Sequence, residues 1–140
     1  MSIRAAIPYL MLGGRSQEAI DYYERTLGTR TGTVLRFGDV DQGCRDAMKD
    51  RVMHAELHVG DALFMVTDGP EGPPPPASDA IMVALSIGDE PTLRARFEAL
   101  AAQGDTLMPP HDTPLGDLLA GARDPFGVVW MLHCAKDSRG

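Results

Sequence analysis

The chain has 140 residues, 44% of them hydrophobic and 24% charged, with a formal net charge of −7 at neutral pH. That size suits a single domain with one core, and an acidic balance with scattered Lys and Arg excludes a basic face for nucleic-acid phosphates. No apolar run is long enough to span a bilayer, and two cysteines, Cys44 and Cys134, make neither a disulfide framework nor a paired-thiolate zinc motif, so both are read as free thiols. The opening MSIRAAIPYLML carries no small-residue cleavage pattern before Gly13, which points to a cytoplasmic address.

In chain order, residues 3–12 are apolar enough for a strand buried on both faces, ended by Gly13 and Gly14. A helix follows, with Ser16 as N-cap and Glu18 in its first turn; Ala19, Ile20, Tyr23 and Leu27 fall at helical spacing before Gly28 closes it. Thr-rich, β-branched residues 29–37 predict a strand, and GDVDQGCRDAMKD a long loop, bare or holding one helical turn. Residues 51–59 and 62–67 predict a hairpin about Gly60 and Asp61.

EGPPPPASD is a stiff connector, because proline donates no ladder hydrogen bond and favours an extended backbone. It divides the domain into a first module at about 3–68, a linker at 69–79 and a second module at about 80–134. In the second module, residues 80–87 predict a strand, and Asp89 opens a helix with Pro91 in its first turn and Leu93, Phe97 and Leu100 on its buried stripe. Gly104 ends that helix, and 106–108, 115–123 and 128–134 predict three further strands. The order strand, helix, three strands thus occurs twice, an internal duplication of elements that gives an α+β fold of two βαβββ modules.

These letters resemble a known superfamily. IPYLMLGGRSQEAIDYYERTLG is similar to the opening strand and helix of the vicinal oxygen chelate superfamily, which includes glyoxalase I, bleomycin-resistance proteins and extradiol dioxygenases, and DPFGVVWML to its last hairpin. RFGD, KDRVMHAELHVGDALFMVTD and DPFGVVW together resemble the PhnB-like, 3-demethylubiquinone methyltransferase-like subfamily. PPHDTPLGD departs from it, with Leu115 where a tryptophan is expected beside Gly116. The resemblance implies sheets curled around a shared cleft that binds a small molecule, and a homodimer, since pairing removes unpaired strand edges.

Metal-using relatives draw ligands from the first and last strand of each module, and by spacing those places fall near Pro8, Met65, Met82 and Met131. None is His, Gln, Glu or Asp, so a hard or borderline divalent ion lacks its donors and no cofactor is expected. Three thioethers would suit copper(I), but methionine more often fills irregular apolar space or lines an adaptable pocket.

The polar pattern lies elsewhere, in HAELH at 54–58. Alternation sends Met53, Ala55, Leu57 and Val59 to one face and His54, Glu56 and His58 to the other. Three readings stand: a one-strand metal site, a solvated ladder with Glu56 bridging two histidines, or a ligand contact for a cationic or hydroxylated group. In the last, Glu56 is also a candidate general base.

His133 shares a strand face with Met131, and His111 sits on a loop. Trp130, Tyr22 and Tyr23 are read as packing residues. No phosphate loop or nucleophile triad is present. The sequence therefore points to a metal-free small-molecule-binding protein, with Met65, Met82 and Met131 as an apolar floor and His54, Glu56 and His133 as polar contacts. The alternative is a divalent-metal-dependent lyase, isomerase or dioxygenase of the same superfamily.

Overall fold

The computed structural model describes residues 2–135. The chain divides into two compact units, Met1–Pro76 and Ala77–Gly140, the division falling at the end of the proline run.

The first unit runs β1 (Tyr9–Met11), α1 (Ser16–Leu27), β2 (Arg30–Arg36), two short helices α2 (Phe37–Val40) and α3 (Asp46–Lys49), then β3 (Val52–Val59) and β4 (Ala62–Thr67). Its sheet has the order β1-β4-β3-β2, with β1 parallel to β4 and the other pairs antiparallel. The second unit runs β5 (Val83–Ser86), α4 (Glu90–Ala102), β6 (Asp105–Asp112), β7 (Asp117–Arg123) and β8 (Val129–Ala135), in the equivalent order β5-β8-β7-β6. The duplication of elements is thus a duplication of topology, and the α+β architecture is as the sequence predicts.

Each helix covers one face of its own sheet. In the first unit Ala19, Ile20, Tyr23 and Leu27 are buried on α1, and Ala55, Leu57, Phe64 and Val66 are buried on β3 and β4. Tyr23 meets Phe64 edge to face at 5.4 Å, a favoured aromatic arrangement. In the second unit Leu93, Phe97 and Leu100 of α4 are buried, as are Leu118, Ala120, Trp130 and Leu132 of β7 and β8. Strand alternation then dictates that the residues between these buried ones face away from the helix.

A buried aspartate just after a strand ties down each unit. Ser16 is not the N-cap of α1: the helix begins at Ser16, Arg15 holds the cap position without a side-chain cap, and the Ser16 hydroxyl is buried without a hydrogen-bond partner. Asp68, 52 residues away, takes the role. Its Oδ1 accepts from the Gly14 and Ser16 amides at 2.8 and 2.9 Å, and its Oδ2 from the Val52 amide at 2.8 Å. A carboxylate at a helix N-terminus also meets the positive end of the helix dipole. In the second unit Asp124 accepts from the amides of Phe126 and Val128 and, through Oδ2, from Nε1 of Trp130 at 2.8 Å. Trp130 is fully buried, a packing residue as its sequence context suggests.

Several strand limits differ from the sequence reading. The first strand shrinks from 3–12 to Tyr9–Met11, leaving Ile3 exposed, and the strand placed at 80–87 begins at Val83. Conversely, the strand placed at 106–108 extends to Asp112, through Pro109 and Pro110. It can do so because β6 is an edge strand with a register shift between Met108 and His111, where missing amide donors cost little. Cys44 and Cys134 are free thiols.

Candidate functional site

The uncovered face of the first sheet carries the polar cluster. Tyr9 is in register with Met65, and Met65 with Glu56, so phenol, thioether and carboxylate form one row across β1, β4 and β3. His54 and His58 flank Glu56 on the same face of β3, opposite Leu35 and Arg30 of β2. Helix α1 packs on the other side, which is why this row stays half exposed.

The geometry orders these groups. The phenolic oxygen of Tyr9 lies 2.8 Å from Nδ1 of His54, with the rings edge to face at 5.5 Å. A phenol donating to Nδ1 fixes the tautomer that carries its proton on Nε2. That Nε2 sits 4.0 Å from Glu56 Oε2, while His58 Nε2 sits 3.6 Å from Oε1. Both separations exceed hydrogen-bond length, so the carboxylate lies between two imidazoles on a side chain that is 42% exposed. Of the sequence-selected residues, the structure brings His54, Glu56, His58 and Met65 together. Tyr9 was missed, because its role depends on a parallel pairing between segments more than fifty positions apart.

In the second unit the row through Met131 is apolar, and the polar groups lie one row on, at Ser86, His133 and His111. Met131 is in register with Ala84 on β5 and Gly121 on β7, and its sulfur passes close enough to Gly121 that a β-carbon there would lie 3.0 Å away. His133, on the same face, has Nε2 2.9 Å from Asp117 Oδ2, a partner the sequence reading did not name. Met82 precedes β5 and is 51% exposed, and the residue opposite Met131 is Ala84. His111 lies on β6, not in a loop, with Nδ1 2.9 Å from the Pro109 carbonyl oxygen.

In the first unit Tyr9 stands opposite Met65, and the neighbouring Pro8 carbonyl accepts from the Met65 amide at 2.9 Å. A divalent cation there would be offered a phenol already bonded to His54 and a thioether; in the second unit, taken by itself, the equivalent places offer a methyl group and a thioether. Those donors do not fit a zinc, iron or manganese centre. Among the described residues no group of three His, Cys, Asp or Glu side chains is arranged to hold a metal ion, and no helix is long and apolar enough to cross a membrane.

Comparison with known proteins agrees with this architecture. The profile of the Glyoxalase/Bleomycin resistance protein/Dioxygenase superfamily matches residues 7–132. The chain belongs to that superfamily. Among its glyoxalase-like relatives, Protein YjdN of Escherichia coli (strain K12) is 27% identical, the alignment covering 92% of this chain and 94% of that one. The crystal structure of protein PA1353 from Pseudomonas aeruginosa superposes with a TM-score of 0.84 at 31% identity, covering 96% of this chain and all of the other, 100%. A Bacillus cereus PhnB protein, described as a putative 3-demethylubiquinone-9 3-methyltransferase, gives a TM-score of 0.77 at 22% identity over 94% of this chain and 100% of its own, which establishes a shared fold.

Proposed function

We propose that this glyoxalase-superfamily chain binds a small molecule on the uncovered face of its first sheet, without a metal, and holds a cationic or hydroxylated group of that molecule at Glu56. One observation carries the reading: the Glu56 carboxylate lies 3.6 and 4.0 Å from two imidazole nitrogens, near enough for them to tune its field and too far for them to occupy its lone pairs. Met65, adjacent in the row, supplies a polarizable apolar contact. A solvated ladder needs no long-range anchor, whereas the Tyr9 hydroxyl holds the His54 ring in place from a neighbouring segment. Met131 and His133, on the uncovered face of the second unit, and Met82, just before β5, are proposed as ligand contacts of that unit taken by itself.

Family membership supports binding of small molecules by a scaffold of this kind, and the donor chemistry at the metal-ligand places speaks against the lyase, isomerase and dioxygenase alternative. The methyltransferase description of the Bacillus cereus relative finds no counterpart here: no glycine-rich loop follows a first strand and the strand order is not that of a dinucleotide-binding sheet. The proposal extends to a cytoplasmic homodimer, which light scattering of the purified chain checks.

The test is isothermal titration with three probes: bleomycin, benzyltrimethylammonium and kanamycin. Saturable binding of at least one, weakened about tenfold or more by Glu56→Gln through loss of a charge-assisted contact, supports the proposal. Failure of all three to bind, or binding unchanged in the variant, overturns it.

A further inference from the structure

Gly32 stands where the β2–β3 register shifts between Thr31 and Val34. A β-carbon built on it would lie 3.3 Å from Nε2 and 3.6 Å from Cδ2 of His58, and 3.7 Å from Cβ of Glu56. Glycine is normally explained by a left-handed backbone, as at Gly28 with φ of 72°. That explanation fails here, because Gly32 is not among the glycines of positive φ. Any L residue could adopt its backbone, so what distinguishes glycine at this position is the space it leaves.

The space has a location. β2 is the outermost strand on its side of the sheet, and the side chain missing from position 32 would approach the same ring nitrogen of His58 that lies 3.6 Å from Glu56 Oε1. With glycine, no side chain from position 32 stands against that nitrogen, and His58 and Glu56 keep 36% and 42% exposure. With a branched side chain, both would be roofed over.

We infer that Gly32 is a specificity-determining residue: the notch it leaves admits a bulky, branched cationic group to Glu56 and His58. The inference rests on the reading of Glu56 as a ligand contact, and two measurements separate them. Diethyl pyrocarbonate transfers an ethoxycarbonyl group to an unprotonated imidazole nitrogen, so its rate at His58, resolved by peptide mass spectrometry, reports access to Nε2 without any ligand. His111, in the second unit, is the internal control.

Gly32→Val is expected to slow modification of His58 about tenfold, equivalent to about 1.4 kcal/mol of added barrier, with His111 unchanged. It should also weaken bleomycin and kanamycin more than benzyltrimethylammonium. Gly32→Ala, which adds only the β-carbon, should show smaller effects in the same direction and keeps the test decisive if the valine variant does not fold. Unchanged His58 modification in the folded variants, while Glu56→Gln still weakens the probes, overturns the role of Gly32 alone. Slowed modification with no probe bound by the wild type overturns the ligand reading and the selectivity built on it.

Discussion

Tyr9 holds His54 from the edge strand of the first sheet, its hydroxyl 2.8 Å from Nδ1 and its ring perpendicular to the imidazole at 88°. The bond is solvent-accessible, so its contribution to stability is small, about 0.5–1 kcal/mol. Its effect is expected on the tautomer of His54. Tyr9→Phe should leave the fold intact, lower stability by that amount and redistribute the His54 proton between Nδ1 and Nε2. Nitrogen chemical shifts of the imidazole measure the tautomer; a distribution identical to wild type would show that the phenol does not set it.

Asp68 satisfies three backbone amides from two segments with one buried carboxylate. Removing it strands donors at the start of α1 and of β3 together. Asp68→Ala is expected to cost about 3 kcal/mol or more, measured by urea denaturation, with Asp68→Asn intermediate because the amide retains a single acceptor oxygen. A loss below about 1 kcal/mol would mean that water replaces the carboxylate.

Asp89 caps α4 by accepting from the Thr92 amide at 2.8 Å. That backbone hydrogen bond, followed by the one from the Thr92 hydroxyl, holds its carboxyl below the ordinary aspartate value of 3.8. A pKa depressed by folding contributes stability that is present above the unfolded value and lost as pH falls through the folded one. Asp89→Ala should therefore melt at lower temperature than wild type near neutrality, and the charge-dependent part of the gap should shrink as the pH drops below 3.8. A gap constant down to strongly acid pH would assign the whole effect to helix propensity. Asp79, held low by its hydrogen bond to Arg123, should behave with the same sign.

Trp130 fills the second core and donates to buried Asp124 Oδ2. Trp130→Phe removes both volume and donor, at a cost of about 2–3 kcal/mol. Thermal denaturation followed by circular dichroism gives the value. A cost under about 1 kcal/mol would show that Asp124 is satisfied by its two amides alone.

Local signals in the sequence were strong where one segment decides its own structure. The spacing of Ala19, Ile20, Tyr23 and Leu27, closed by Gly28, locates α1, and Gly60-Asp61 locates the β3–β4 turn. Alternation in HAELH assigns His54, Glu56 and His58 to one face without any knowledge of neighbours.

The misses depend on pairing between distant segments. Residues 3–12 are apolar throughout, yet only Tyr9–Met11 finds a partner in β4, and apolar character alone does not say where a ladder stops. Spacing from the helices names Pro8, Met82, Met65 and Met131 as neighbouring places but not which residues face each other; the ladders supply that, with Tyr9 opposite Met65 and Ala84 opposite Met131. The N-cap at Ser16 failed for the same reason. Its physical substitute, Asp68, lies beyond a hairpin and is a helix-capping group only in three dimensions.

All three tyrosines, Tyr9, Tyr22 and Tyr23, lie in the first unit, and the single tryptophan lies in the second. Nature has thereby given each half its own chromophore. Emission excited selectively through the indole follows the melting of residues 77–140, while the ring resonances of the tyrosines follow residues 1–76. Two curves that coincide describe one cooperative transition; two that separate describe halves able to unravel one at a time.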